Sequence, residues 1–195
     1  MSFYSKERFL VLSDFETTGL SFDEDFPIEI GLIITDPQLV IQETYQTIIR
    51  YPDLDKLLEN ETEWPAHMIP AYNVHKISVE EYKSGKSIAV VVEELRRLIA
   101  KYSQTVNGRK LNPVLTSDNI QFEYRWMDFI LKYSGLSTAS IFHYCGWDTS
   151  MTLDLITTVG DPKPVHRAFA DTALLYRNLV RAFSVTNGDK LKSVF

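Results

Sequence analysis

Two acids stand two positions apart in "VLSDFETTGL", residues 11–20: Asp14 and Glu16, where an apolar run ends. A carboxylate at the mouth of a buried strand is costly unless something pairs with it. Its natural partner is a hard divalent cation, which takes oxygen ligands. The turn through Thr17, Thr18 and Gly19 is expected to bring both acids toward one point. Taken alone, the decapeptide is equally consistent with two solvated loop acids. Far along the chain, "VHRAFADTALL", residues 165–175, holds His166 and Asp171 with four residues between them. At the start of an amphipathic helix that spacing can bring both side chains near the first turns. A histidine, as a residue type, titrates near neutral pH and can serve as general base, and an aspartate can hold metal. Alone, this second stretch reads as the polar face of a helix start.

The intervening chain supplies the elements that must position these groups. Residues 8–16 read as a strand ending in the acids. "IEIGLIITD", 28–36, is too continuously apolar for a surface strand. "ETYQTIIRY", 43–51, alternates in part and belongs nearer an edge. The three form an antiparallel meander, with Asp36-Pro37 as a turn. Residues 52–86 predict loops with short helical pieces. Ile88, Val91, Val92, Leu95, Leu98 and Ile99 recur at helical spacing. "NGRK", 107–110, ends that helix and reads as a basic surface hairpin. "NPVLTSDN", 112–119, is a fourth strand, and "QFEYRWMDFILKYSG" a helix closed by Gly135. "SIFHYCGWD", 140–148, is a fifth, with His143 and Cys145 as core residues rather than a metal pair. A short helix follows, then "GDPKP", then a helix over 166–183. This order predicts an α/β domain, a mixed five-stranded sheet flanked by helices. Residues 1–185 form a single domain and 186–195 a C-terminal tail.

Composition narrows the function. The chain has 195 residues, 45% hydrophobic and 24% charged, which suits one domain with a sizeable core. A formal net charge of −6 argues against gripping long duplex nucleic acid through many phosphates. It leaves room for a small site that takes a few nucleotides with the help of metal ions. Cys145 is the lone cysteine, so no intramolecular disulfide forms. "MSFYSKERFL" lacks a signal-peptide core and no apolar run reaches the roughly 18 residues of a membrane span. A soluble, cytoplasmic protein with no membrane partner is expected.

"DFETTGL" together with "HRAFAD" resembles the DEDDh exonucleases, the DnaQ-like group that includes proofreading subunits and oligoribonucleases. The first family motif, Asp-x-Glu-x-Thr-Gly, is matched by residues 14–19, and the last, His-x4-Asp, by 166–171. "IEIGLIITD" looks like the family's second strand. "IPAYNVHKIS", 69–78, resembles a loop that ends in His-Gly-Ile-Thr, with Lys76 in place of Gly. "YCGWDTSMTLDL" resembles the Asp-Thr-Leu stretch after the fifth strand. The likeness covers residues 9 to about 183. One position departs: the middle motif, Asn-x-x-Phe-Asp, is here "NIQFE", with Asn119, Phe122 and Glu123. Glu123 is preferred as the third acid because Asn119 and Phe122 frame it. Asp118 is the alternative, or else a cap on the following helix.

The resemblance implies a ribonuclease-H-like fold and removal of nucleoside 5′-monophosphates from the 3′ ends of single-stranded or frayed DNA or RNA, or of short oligonucleotides. It implies two divalent ions, Mg²⁺ or Mn²⁺, held by Asp14, Glu16, Glu123 and Asp171, with His166 taking the proton of the attacking water. Thr17, Thr18, Gly19, Leu20, Asn119 and His75 would meet the substrate. Leu20 would pack on the terminal base, or else in the core. His75 would line the groove, or else lie solvated in a loop. Trp64 and His67 could stack on bases, though a loop tryptophan more often anchors packing. Arg167 and Lys163 could meet phosphates or be solvated. The alternative function is a proofreading-like accessory domain of weak activity that serves a polymerase, with "KLKSVF" as a docking peptide. A homodimer is also compatible.

Overall fold

A computed structural model describes residues 8–150 and 164–186, with side chains through Phe183. The three leading strands are β1 (Leu10–Thr17), β2 (Pro27–Thr35) and β3 (Ile41–Arg50). They form the expected antiparallel meander, with Leu12 opposite Ile33 and Ile33 opposite Thr44. Short helices follow: α1 (Pro52–Leu57), a 3₁₀ turn over Ala66–Met68, α2 (Ile69–His75) and α3 (Val79–Lys83). Then come β4 (Lys86–Ser87), α4 (Ile88–Lys101), a β5–β6 hairpin (Gln104–Val106, Arg109–Leu111), β7 (Val114–Ser117) and α5 (Ile120–Lys132). The chain continues through α6 (Thr138–Ile141) and β8 (Trp147–Asp148), and α7 runs over Ala168–Thr186. Sheet order is β4-β3-β2-β1-β7-β8, with β7 and β8 parallel to β1. The sheet therefore has six strands, the extra one being the two-residue β4 at the edge of β3.

Every residue of β2 is buried, because helices cover both faces of the sheet centre. β1 shows the division. Leu10 and Leu12 pack with Leu175 and Leu179 of α7, while Val11 and Phe15 join the larger core with α4 and α5. α5 buries Glu123, Trp126, Met127, Ile130 and Leu131, a helical stripe that carries one acid into the core.

α7 sits close to β2 because Gly31 has no side chain. A Cβ there would lie 2.5 Å from the Ala168 backbone. Thr172 Oγ1 donates to the Gly31 carbonyl at 3.1 Å, fixing the same contact. Gly31→Ala must therefore push the start of α7 away. The expected result is a fall of several degrees in melting temperature, about 1–3 kcal/mol of overpacking. Calorimetry showing wild-type melting would refute the close-contact argument.

The fifth strand is shorter than its sequence suggests. Of residues 140–148 only Trp147 and Asp148 pair with β7. Ser140 and Ile141 instead end α6, because Ser137 and Ser140 form a reciprocal capping box and Thr138 N–H donates to Asp128 at 3.0 Å, and residues 142–146 run on as irregular backbone. His143 is half-buried and Cys145 exposed, so neither is a core residue. The Cys145 N–H donates to His143 Nδ1 at 3.2 Å, which closes a local turn instead. "NGRK" does form a surface hairpin: Asn107 (φ 50°) and Gly108 (φ 76°) are both left-handed, as a type I′ turn requires. The short helix expected after β8, residues 160–163 of "GDPKP" and the tail beyond Thr186 lie outside the described residues. Among the described residues no helix is long and apolar enough to cross a membrane.

Candidate active site

β1 remains a strand through Thr17, so Asp14 and Glu16, two residues apart, project from one face. Strand alternation brings them together, not the turn that follows. That face looks toward α7, whose first turns carry Asp171. Donor atoms of Glu16, His166 and Asp171 lie within 4.8 Å of one another. Asp171 also shapes the loop before its helix: its carboxylate accepts the Val165 and His166 N–H groups, each at 2.7 Å. His166 has φ 57°, an uncommon left-handed backbone for a residue with a side chain. The two hydrogen bonds hold it there, with the histidine exposed at the rim.

Glu123 comes from the other side, in the first turn of α5. It is 3% exposed, and its Oε2 has no hydrogen-bond partner. Phe122 beside it packs against Phe22 and Trp126, which fixes the helix start. Asn119, at the helix N-cap, is exposed and makes no side-chain cap. Asp118 is exposed at the end of β7 and accepts a hydrogen bond from Ser117 Oγ rather than capping α5. Asp118 and Glu123 both raise the Asp14 carboxyl by their charge, while the donor atoms that lie within 4.8 Å of one another are those of Glu16, His166 and Asp171.

The electrostatics follow from this crowding. Burial, then Glu123, Glu16, Asp171 and Asp118, raise the Asp14 carboxyl well above the usual range. Burial pushes Glu16 up to about 8, with Asp171 and Glu29 adding to it and Arg167 opposing. Glu123 is also pushed to about 8, by burial and then by Asp118, with the Ser13 hydroxyl and the Phe15 N–H opposing, and only its Oε2 is left without a partner. Acids gathered in a poorly solvated pocket, with a buried carboxylate oxygen left unpaired, suit a site that holds a cation. The donors are all oxygens apart from the histidine, the set a hard divalent ion prefers.

The turn after β1 is braced from below. Asp25 accepts from Thr18 Oγ1 and from Ser21 N–H, both at 2.9 Å, and Thr17 Oγ1 donates to the Gly19 carbonyl at 2.7 Å. A Cβ on Gly19 would collide with the Asp25 carboxylate, so glycine is needed for space. Leu20 is 79% exposed at the tip and is not a core residue.

Other candidates lie elsewhere. His75 is buried, neither solvated nor open to a ligand. Its Nδ1 accepts the Ile77 N–H at 2.9 Å, and burial lowers its pKa to about 4. Trp64 anchors packing, with Nε1 donating to the Ile77 carbonyl at 2.7 Å, while His67 is exposed. Lys76 adopts φ 60°, a left-handed helix end that glycine would fill without strain. Arg167 is committed to Glu29 and Glu81 rather than free. Lys163 lies outside the described residues.

The family model RNase_T, described as exonuclease, matches residues 11–179. The chain belongs to this exonuclease family. The matched span runs from the strand of Asp14 and Glu16 to the helix of Asp171, so it encloses the whole cluster. No curated protein matches this sequence. Among solved structures, the zinc-bound complex of E. coli exonuclease I with ssDNA superposes with a TM-score of 0.65 at 16% identity, covering 96% of this chain and 42% of that one. E. coli exonuclease I with a dA16 oligonucleotide superposes at 0.66 and 15% identity, covering 92% and 41%. Identity this low shows a shared ribonuclease-H-like fold. This chain spans about two fifths of the length of those proteins.

Two supporting residues escaped the sequence reading. They are Asp25, in "SFDEDF", and Glu29, inside the apolar run of β2. Only the second carried a signal, since an acid inside a run of buried residues needs a partner.

Proposed function

We propose that this exonuclease removes nucleoside 5′-monophosphates from the 3′ end of single-stranded nucleic acid, with two divalent ions held by Asp14, Glu16, Glu123 and Asp171. The observation that carries the reading is the buried, unpartnered Oε2 of Glu123 within a cluster whose carboxylates raise one another's affinity for protons. Bound Mg²⁺ or Mn²⁺ would supply the positive charge that activates water and stabilises the departing 3′ oxygen. His166, exposed beside Glu16 and Asp171, takes the proton from the attacking water on a ring nitrogen. The braced Thr17–Gly19 turn presents backbone groups to the terminal nucleotide, and the exposed Leu20 packs on its base. Asn119, exposed at the N-cap of α5 with no capping bond of its own, is the further polar group assigned to the substrate. The fold shared with ssDNA-bound exonuclease I makes single-stranded DNA the first substrate to try.

The test uses 5′-labelled single-stranded DNA and RNA of several lengths, dinucleotides included, with Mg²⁺, with Mn²⁺ and with EDTA. A metal-dependent ladder shortening from the 3′ end is expected. His166→Ala should slow it by about 10²–10⁴-fold, the scale of general-base catalysis, while metal affinity is nearly kept. No shortening on any polymer with either metal would refute the proposal. Shortening from the 5′ end would refute its direction.

A further inference from the structure

Glu29 is the most completely satisfied charged group among the described residues, and the mechanism above does not use it. Its side chain is 1% exposed in the middle of β2. Oε1 accepts from Arg167 Nη2 at 2.9 Å and Gln46 Nε2 at 3.1 Å, and Oε2 from Arg167 Nε at 3.1 Å and the Ala168 N–H at 3.0 Å. Arg167 thus makes a two-pronged pair with Glu29, and the same guanidinium reaches Glu81 of α3 at 2.7 Å. A buried ion pair rarely adds stability over apolar packing, so its reason lies in what it fixes. Two site groups flank it. Glu29 stands directly opposite Glu16 across the β1–β2 ladder, and Arg167 and Ala168 immediately follow His166.

We propose that Glu29 is a positioning residue for the reaction: by gripping the side chain of Arg167 and the backbone of Ala168, it sets the loop that aims His166 at the acid cluster. The left-handed backbone of His166 makes this grip necessary. Upstream, Asp171 fixes the loop through the Val165 and His166 N–H groups. Downstream, Glu29 fixes it through Arg167 and Ala168. Released from the second hold, His166 can relax toward an ordinary backbone, and its ring leaves the water it must deprotonate. Glu81 is the outer arm and is half exposed, so it contributes less.

The inference rests on the exonuclease reading above, and the experiment separates the two. Single-turnover and steady-state rates on a labelled oligonucleotide are measured for wild type, Glu29→Gln, Arg167→Lys and Glu81→Gln, with Mg²⁺ affinity from calorimetry. Glu29→Gln keeps the shape and removes the charge. Arg167→Lys keeps the charge and removes the two-pronged geometry. Both should lower kcat by about 10–100-fold, the scale of a small misplacement of a catalytic group. KM should stay within about twofold and Mg²⁺ affinity should change far less than kcat, since Glu29 and Arg167 act on Glu16 only by charge across the ladder, a split that general loosening of the fold would not produce. Glu81→Gln should cost less than about threefold. If Glu29→Gln fails to fold, Arg167→Lys decides. An active wild type with unchanged kcat in Arg167→Lys, or with KM and Mg²⁺ affinity worsening as much as kcat, overturns this inference alone. An inactive wild type overturns the exonuclease reading and this inference with it.

Discussion

Replacing Asp14 by Asn is expected to do two opposite things: abolish nucleotide release and make the metal-free protein more stable. Asp14 lies where four other acids act on it and where burial already disfavours its charge. Removing one charge from that group relieves repulsion worth a few kcal/mol at the effective dielectric of a protein site. For a chain of this size each kcal/mol moves the melting temperature by about 2–4 °C. The amide, however, no longer offers a carboxylate to the ions. Losing several kcal/mol of charge stabilisation in the transition state corresponds to a rate lower by roughly 10³-fold or more. Calorimetry in EDTA at pH 8, beside ladder assays in Mg²⁺, reads both effects. A variant that melts below wild type in EDTA would contradict the claim that Asp14 is held against its electrostatic preference. Retained activity would remove Asp14 from the ion-binding set.

The second large effect is a pH dependence that reverses when metal is present. Glu16 and Glu123 are pushed from the ordinary 4.5 to about 8 in the folded chain. Between those values the folded protein keeps protons that the unfolded chain has released. The contribution of these two acids to the stability of the metal-free protein therefore falls as pH rises from about 4.5 to about 8, and buried His75, lowered to about 4, offsets part of that fall below 6.5. Below that window both states are protonated, and above it both are ionised, so the contribution is level on each side. A melting temperature at least about 5 °C lower at pH 8.5 than at pH 5.5 is expected in EDTA. Metal binds the ionised carboxylates and must release these protons, so Mg²⁺ should stabilise far more at pH 8.5 than at pH 5.5. Titration calorimetry at pH 7 in buffers of different ionisation enthalpy counts the protons set free. No proton release, or a metal-free melting curve flat from pH 5 to 8.5, would show that the acids are already ionised without metal.

Both expectations concern groups that are nearly unreadable one at a time. Asp14 and Glu16 could have been two loop acids, and His166 and Asp171 the polar face of a helix start. Their order and type, with Asn119 and Phe122 framing Glu123, made the reading specific, and the matching family spans the same residues. The meander was legible because β2 is apolar but for Glu29 and Thr35, and β3 is not. The helices α4 and α5 were legible from apolar residues recurring at helical spacing. Those signals are local, carried by side chains a few positions apart, so one sequence determines them.

What lay beyond reach depends on residues far apart in the chain. The fifth strand failed as read because Asp128, ten positions before Thr138, and a pair of serines favour a helical turn over pairing. His75 looked like a groove residue and is instead packed beneath Trp64 and Tyr72. Asp25 and Glu29 have no local pattern. One braces the first motif through Thr18 and Ser21, and the other grips Arg167 from 138 positions away. The sequence by itself determined which groups could carry the chemistry and the class of sheet that bears them. The tertiary structure alone decided how crowded the acids are, and which charges hold the histidine loop. Crowding and burial are properties of distance in space, and a carboxylate's affinity for a proton or a metal depends on that distance, not on its position in the chain.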